Sequence, residues 1–132
     1  MSESCWPVRV YYEDTDAGGV VYHAGYIRYF ERARTEWLRN LGYSQARLVA
    51  DEGVLFSVVN LEIHYQKPAR LDDMLQVLTR ARLAGGASVQ FEQDVQREDG
   101  ELLARGKVLV ACVDAHSLKP RRLPAALRER IT

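Results

Sequence analysis

The side chains best suited to chemistry lie together in one short stretch of the sequence, residues 12–23. This stretch contains three acidic residues, Glu13, Asp14 and Asp16, and it ends at a histidine, His23. Carboxylates and imidazoles accept protons near neutral pH, and carboxylates also attack carbonyl carbon atoms. The stretch therefore supplies candidates for a general base or a nucleophile.

An amphipathic helix is predicted directly after these residues. Apolar side chains recur every three or four positions, at Ile27, Phe30, Ala33, Trp37 and Leu41. Tyr26 and Leu38 widen this apolar stripe. Gly42 is placed to end the helix in a left-handed C-cap. The first peptide N–H groups of a helix have no intrahelical partner, and the helix dipole favours negative charge there. A candidate base thus precedes a candidate oxyanion site, which is the minimum for acyl-transfer chemistry.

Length and composition predict one globular domain over residues 1–132. Apolar residues make up 47% of the chain, which excludes an intrinsically disordered protein. The 18 basic and 18 acidic residues cancel, so no net charge draws the protein to nucleic acid or to an anionic membrane. We therefore expect no nucleic-acid partner.

The cysteines and the N-terminal sequence predict a cytoplasmic protein. Cys5 and Cys112 lie far apart in the sequence, and Cys112 is inside an apolar run, so free thiols in a reducing compartment are expected. The N-terminus lacks a basic region followed by an apolar stretch, and no apolar run is long enough for a transmembrane helix. Membrane insertion is not expected.

The remaining segments predict one further helix and several strands. A strand is expected over residues 8–12, and Ser44 is placed to cap a short helix over 45–52 that Gly53 would end. Four further strands are predicted, over residues 59–65, 75–83, 88–96 and 102–113. The second of them ends before a turn at Gly85–Gly86, and the third ends before a hairpin turn at Asp99–Gly100.

This order of elements, with a single long helix, favours an α+β fold. The alternation of strands and helices that builds a parallel sheet is missing, so a five-stranded antiparallel sheet should pack one face on the helix. In the strand over residues 59–65, the side chains expected on the buried face are Val59, Leu61, Ile63 and Tyr65.

The run at residues 108–113 predicts a homo-oligomer. It is apolar on both faces, which is typical of a strand covered on both sides. One helix covers only part of a five-stranded sheet, and a second copy of the chain is the simplest cover for the remainder.

Three blocks of the sequence resemble the hotdog-fold thioesterases of the 4-hydroxybenzoyl-CoA thioesterase type, and especially their Tol–Pal-associated acyl-CoA thioesterase subgroup. The blocks are residues 12–23 (YEDTDAGGVVYH), Tyr26 together with 30–38 (FERARTEWL), and 65–73 (YQKPARLDD). They span the chain in order. One departure is Gly25, where asparagine is usual before the tyrosine.

The resemblance implies a hotdog fold, in which a curved antiparallel sheet wraps round one long helix. It also implies that two subunits pair their sheets into one, that dimers associate further into tetramers, and that the active sites lie at the dimer interface. The acid at the position of Asp16 would attack the thioester carbonyl or activate water. Backbone N–H groups near His23 would polarise the carbonyl oxygen, and no cofactor would be required.

The expected activity is hydrolysis of an acyl-CoA thioester, with Asp16 and His23 as the catalytic candidates. Candidate substrate-binding residues, which include the two glycines that let the backbone approach a thioester closely, are Gly18, Gly19, Tyr22 and Tyr26. The basic residues that could meet the phosphates of coenzyme A are Lys67, Arg70, Arg80, Arg82, Arg121 and Arg122.

Several alternatives remain open at the level of the sequence. Asp16 also fits the role of a turn residue, and Asp14 is expected to point away from it. A hotdog hydratase or dehydratase would use the same Asp16 and His23, and a non-catalytic module would bind acyl-CoA or acyl-carrier protein without turnover. A metal site formed by Asp14, Asp16 and His23 is disfavoured, because these residues lack the dense ligand spacing of zinc sites. The sequence does not specify the acyl group of the substrate.

Overall fold

The computed structural model describes residues 2–131. Its strands are β1 (Ser2–Arg9), β2 (Val54–Tyr65), β3 (Met74–Gly85), β4 (Ser88–Arg97) and β5 (Leu102–Asp114). Its helices are α1 (Gly25–Asn40), α2 (Gln45–Arg47, continued by a π-helical turn, Leu48–Glu52) and α3 (Ala125–Ile131). The strands form one antiparallel sheet in the order β1-β3-β4-β5-β2. The predicted α+β class, with a five-stranded antiparallel sheet and one long helix, is confirmed.

The long helix α1 packs its apolar face on this sheet. The buried residues on the helix are Gly25, Tyr26, Tyr29, Phe30, Ala33, Trp37 and Leu38. Phe30 lies against Gly106 of β5 so closely that a Cβ atom there would come within 2.5 Å of the Phe30 ring. The predicted burial of Ile27 is wrong, since its side chain is 39% exposed at the edge of the buried face.

A buried polar side chain also fixes α1 to the sheet. Gln93 of β4 is fully buried, and its amide Nε2 donates to the Phe30 carbonyl at 3.0 Å and to the Thr79 hydroxyl at 2.9 Å. The Gln93 carbonyl oxygen accepts from Arg34 at 3.1 Å. Because a buried amide without partners is costly, this network favours one position of the helix on the sheet.

The strand predicted over residues 8–12 is wrong at both ends. Strand β1 begins at Ser2 and ends at Arg9, and it pairs with β3 along its whole length. Tyr12 instead begins a short 3₁₀ turn, Tyr12–Asp14, in which the Asp14 carboxylate accepts the N–H of Tyr11 at 2.8 Å. The first residues of β1 are polar, so the sequence there has no apolar alternation that would predict a strand. The strand forms because it pairs with β3.

The expected burial pattern of β2 is only partly correct. Leu61 and Ile63 are half-buried, but Val59 is 61% exposed and Tyr65 is 49% exposed. The pairing of β2 with β5 shifts its register between Val58 and Asn60, so Val59 lies in an irregularity of the ladder. A bulge of this kind redirects side chains and interrupts strict alternation.

The predicted helix ends and turns agree with the structure. Gly42 and Gly53 adopt left-handed conformations, with φ of 93° and 66°, directly after α1 and the π-helical turn. Ser44 caps α2 by accepting the N–H of Arg47 at 3.3 Å. Helix α3, which follows Pro124, is not among the predicted elements.

The apolar run in β5 has one buried face and one partly open face. Val108, Val110 and Cys112 are buried in the core, whereas Leu109 and Ala111 are half-buried. Among residues 2–131, Leu109 and Ala111 on this second face are not fully covered, whereas Val113 at its end is buried beside Pro120. Within the same residues, no helix is both long and apolar enough to cross a membrane.

Candidate active site

Asp16 begins a tight backbone turn between the 3₁₀ turn and α1. Its N–H donates to the Val20 carbonyl at 2.9 Å, and its own carbonyl accepts from Gly19 at 3.0 Å. A bridge between Thr15 and Val21 closes the base of this small hairpin. Gly19 has φ of 76°, a conformation that favours glycine, so the two glycines permit the turn.

The Asp16 carboxylate is held by one oxygen and free at the other. Its Oδ1 atom accepts the N–H of Gly18 at 2.8 Å, which is the turn-forming bond typical of aspartate. Oδ2 has no hydrogen-bond partner within residues 2–131, and the side chain is exposed. The turn role and the catalytic role are therefore compatible, because one oxygen remains available to a substrate or a water molecule.

The start of α1 leaves peptide N–H groups without partners. Ala24 occupies the N-cap position and has no side chain that could accept a hydrogen bond. Tyr22 donates to the Asp14 carbonyl at 2.9 Å and Gly25 donates to the Tyr22 carbonyl at 2.7 Å. Within the described chain, the N–H groups of His23 and Ala24 donate no hydrogen bond. Unpartnered N–H groups at a helix start are the kind of donor from which an oxyanion site is built.

Two tyrosines of the site hold backbone groups through their hydroxyls. The Tyr65 hydroxyl, at the end of β2, donates to the His23 carbonyl at 2.7 Å. The buried Tyr26 hydroxyl accepts the N–H of Ala69 at 3.1 Å. The rings of Tyr26 and Tyr65 meet edge to face, with centroids 5.3 Å apart. Burial of Tyr26 and partial burial of Tyr65 raise the pKa of each phenol above the usual value of 10.0, so both keep their protons at neutral pH.

The sequence-predicted residues Asp16, His23 and Tyr26 line one cleft of about 340 Å³. The other residues that line it are Val20, Val21, Tyr65, Gln66, Lys67 and Pro68. Gly18 and Gly19 form the turn beside Asp16 rather than the wall of the cleft. The ring of Tyr22 packs against the His23 ring at a tilt of 47°, with centroids 4.4 Å apart, and Tyr22 is 47% exposed.

The other two acids of the motif have different surroundings. Asp14 is buried and lies beside Tyr29, whose pKa is raised by burial and by this carboxylate. Glu13 is exposed and belongs to no ion pair among residues 2–131. Within that part of the chain, no three His, Cys, Asp or Glu side chains gather as a metal site requires.

The sequence reasoning did not place Tyr65, Gln66 or Pro68 in the site. Tyr65 is the last residue of β2, and the other two follow it in the next loop. The only sequence signal for them was the 65–73 block, which forms part of the family resemblance. Lys67 is the one of the six candidate basic residues that lines the cleft, and its Nζ lies 2.8 Å from Glu101. The structure thus separates Lys67 from the five other candidates, which are absent from the cleft wall.

Comparisons with known proteins agree with this geometry. The sequence model of the Thioesterase-like superfamily matches residues 10–131. The acyl-CoA thioester hydrolase YbgC of Escherichia coli O6:H1 is 52% identical over 92% of this chain and 90% of its own length. The acyl-CoA thioesterase YbgC of Haemophilus influenzae is 48% identical over 93% of this chain and 90% of its own length.

A solved structure gives the same result for the fold. The probable thioesterase from Bartonella henselae is 38% identical and superposes with a TM-score of 0.87, covering 92% of this chain and 99% of its own. The hotdog arrangement and the thioesterase resemblance inferred from the sequence are therefore confirmed. The chain belongs to the Thioesterase-like superfamily.

Proposed function

We propose that this protein hydrolyses an acyl-CoA thioester to a free acid and coenzyme A. The observation that carries the proposal is that Asp16, with one free carboxylate oxygen, and His23, whose N–H has no partner within residues 2–131, line the same cleft. Acyl-CoA hydrolases at 52% and 48% identity support the choice of substrate class. A carboxylate, a water molecule and two backbone donors suffice for this reaction, so it requires no cofactor.

In the proposed reaction, the thioester carbonyl oxygen docks on the N–H groups of His23 and Ala24. The Asp16 carboxylate either attacks the carbonyl carbon or takes a proton from an attacking water molecule. The carbonyl oxygen gains negative charge, which the two N–H groups stabilise. The carbon–sulfur bond then breaks, and coenzyme A leaves as a thiolate that takes up a proton. If Asp16 attacks, water hydrolyses the resulting acyl anhydride and restores the carboxylate.

The remaining candidate residues have supporting roles in this proposal. The His23 imidazole is exposed at the cleft and hydrogen-bonds the substrate. Gly18 and Gly19 shape the turn that presents Asp16 to the substrate, and a Cβ on Gly18 would crowd the Asp16 Oδ1 atom at 3.3 Å. Tyr26 forms part of the wall, and Tyr22 supports the His23 ring.

The active form in this proposal is a homodimer or a tetramer built from dimers. Strand β2 is an edge of the sheet, and Val58 and Val59 on it are 51% and 61% exposed. An uncovered apolar edge favours pairing with a second copy. In the tetramer, a second dimer packed on the outer face of the sheet would cover the half-buried Leu109 and Ala111. Asp16 and His23 would lie close to the β2 interface, because Tyr65 at the end of β2 lines the same cleft. Free thiols at Cys5 and Cys112 support a reducing compartment, and we place the protein in the cytoplasm.

The test is thiol release by the purified wild-type protein from a panel of aliphatic and aromatic acyl-CoA thioesters. The proposal expects stoichiometric free acid and thiol from at least one member of the panel. Loss of enoyl-CoA absorbance without thiol release would instead identify a hydratase. Tight binding of acyl-CoA or acyl-carrier protein without turnover would identify a binding module, and either outcome would refute the proposal.

A further inference from the structure

We infer that Tyr65 is a positioning residue, whose hydroxyl orients and polarises the His23–Ala24 peptide so that the Ala24 N–H acts as an oxyanion donor. This inference rests on the proposed thioester hydrolysis. It assigns to a strand residue 42 positions away in the sequence a role in the same reaction.

The hydrogen bond from Tyr65 replaces one that the helix does not make. The N–H of Ile27, four residues after His23, donates to the Ala24 carbonyl at 3.2 Å and not to the His23 carbonyl. The Tyr65 hydroxyl, at 2.7 Å, is the donor that the His23 carbonyl has within residues 2–131. Removing the hydroxyl would therefore leave this carbonyl without a protein partner.

The His23 carbonyl and the Ala24 N–H belong to one planar peptide group and point in opposite directions. A hydrogen bond to the oxygen therefore fixes the plane and also draws electron density from the nitrogen, which strengthens the N–H as a donor. Ala24 already has right-handed helical angles, φ −73° and ψ −16°. Its N–H consequently points out of the N-terminal end of α1, where the first N–H groups of a helix have no internal partner.

The surroundings hold the Tyr65 phenol in place and keep it protonated. Its ring packs edge to face on Tyr26, and the Tyr26 hydroxyl is tied in turn to Ala69. Partial burial, with a smaller contribution from Tyr26, raises the pKa of Tyr65. A neutral phenol can donate to a carbonyl, whereas a phenolate would repel it.

The first experiment compares Tyr65→Phe with the wild type on an acyl-CoA that the wild type hydrolyses. Loss of one oriented hydrogen bond should lower kcat about tenfold, equivalent to about 1.4 kcal/mol, and leave KM within about twofold. Tyr43→Phe is the matched control, because Tyr43 is half-buried at the other end of α1 and its hydroxyl makes no hydrogen bond within residues 2–131. It should leave kcat unchanged.

A second variant tests the protonation that the inference requires. Replacement of Tyr65 by a trifluorotyrosine keeps the ring and the hydroxyl but lowers the pKa of the phenol towards neutrality. The kcat of this variant should fall as pH rises through that pKa, and the wild type should lack this fall. A merely structural ring would give the same profile in both proteins.

The outcomes separate this inference from the proposed function. An active wild type whose kcat is unchanged by Tyr65→Phe, or whose loss appears only in KM, would overturn the role of Tyr65 and leave the hydrolase proposal intact. A pH profile of the fluorinated protein that superposes on the wild type would also overturn it. A wild type that releases no thiol from any acyl-CoA would refute the hydrolase proposal and this inference together.

Discussion

At the scale of single residues, the proposed chemistry depends on how Asp16 and His23 are held. One oxygen of Asp16 accepts the Gly18 N–H, which fixes the orientation of the carboxylate. The other oxygen has no hydrogen-bond partner within residues 2–131. His23 contributes two different groups, an exposed imidazole and a backbone N–H. The imidazole packs against the tilted ring of Tyr22, whereas the His23 carbonyl accepts a hydrogen bond from Tyr65.

Separating the two groups of His23 leads to a prediction. His23→Ala removes the imidazole and keeps the backbone N–H, so kcat should fall about tenfold to a hundredfold, as expected for the loss of one hydrogen bond worth about 1.5–3 kcal/mol. His23→Pro removes the N–H itself and should reduce kcat far more. The measurement is kcat of both variants on one acyl-CoA, with folding checked by circular dichroism.

The comparison that decides between mechanisms is His23→Ala beside Asp16→Asn. If both variants lose the same factor in kcat, the imidazole is a full catalytic partner of Asp16. The Asp16–His23 hydratase mechanism would then be favoured, and the backbone oxyanion site would lose its support.

At the scale of secondary structure, the position of α1 on the sheet determines where its N-terminus meets the Asp16 turn. Phe30 on α1 packs on Gly106 of β5, where a Cβ atom would lie 2.5 Å from the Phe30 ring. Gly106→Ala should therefore lower the free energy of unfolding by roughly 1–3 kcal/mol, the usual cost of overpacking a core. The measurement is chemical denaturation of the variant and the wild type.

The matched control is Gly85→Ala in β3. A Cβ atom there would lie 3.6 Å from the Ser88 hydroxyl, which is an ordinary contact distance, so stability should change little. Equal stability of Gly106→Ala and the wild type would show that α1 can shift on the sheet without cost. That result would contradict a rigid positioning of the helix N-terminus.

The elements with strong local signals were predicted correctly from the sequence. The apolar periodicity of α1 and the glycine at residue 42 define a helix that the structure reproduces, and Ser44 and Gly53 bound the next one. The cluster of acids, glycines and histidine in residues 12–23 placed Asp16 and His23 beside one helix terminus. These features are local, so neighbouring residues suffice to specify them.

The features that were missed depend on contacts between distant residues. Strand β1 is stabilised by β3, which begins more than sixty positions further along the chain, and its own residues alternate without a strong apolar face. Val59 is exposed because the β2–β5 pairing changes register there. Tyr65 reaches His23 only after the sheet has brought the end of β2 to the start of α1. No local pattern contains these contacts.

At the scale of the whole molecule, we predict that the active protein is a dimer or larger at micromolar concentration. A monomer would leave the β2 edge, with Val58 and Val59, in water, and it would leave Leu109 and Ala111 of the outer face partly open. Light scattering of freshly purified, active protein measures the mass directly. An active species with a mass near the 15.0 kDa of one chain would remove the interface from the proposal.

The central claim, that Asp16 drives thioester hydrolysis in this cleft, is tested most directly by the turnover number of Asp16→Asn. The amide is nearly isosteric with the carboxylate, but it cannot accept a proton from water or attack as an anion, so kcat should fall by at least about a hundredfold. Glu13→Gln, which removes an exposed charge three residues away in the same motif, should retain the wild-type rate. If Asp16→Asn folds normally and keeps more than about a tenth of the wild-type kcat, Asp16 is not the catalytic acid and the proposed mechanism is wrong.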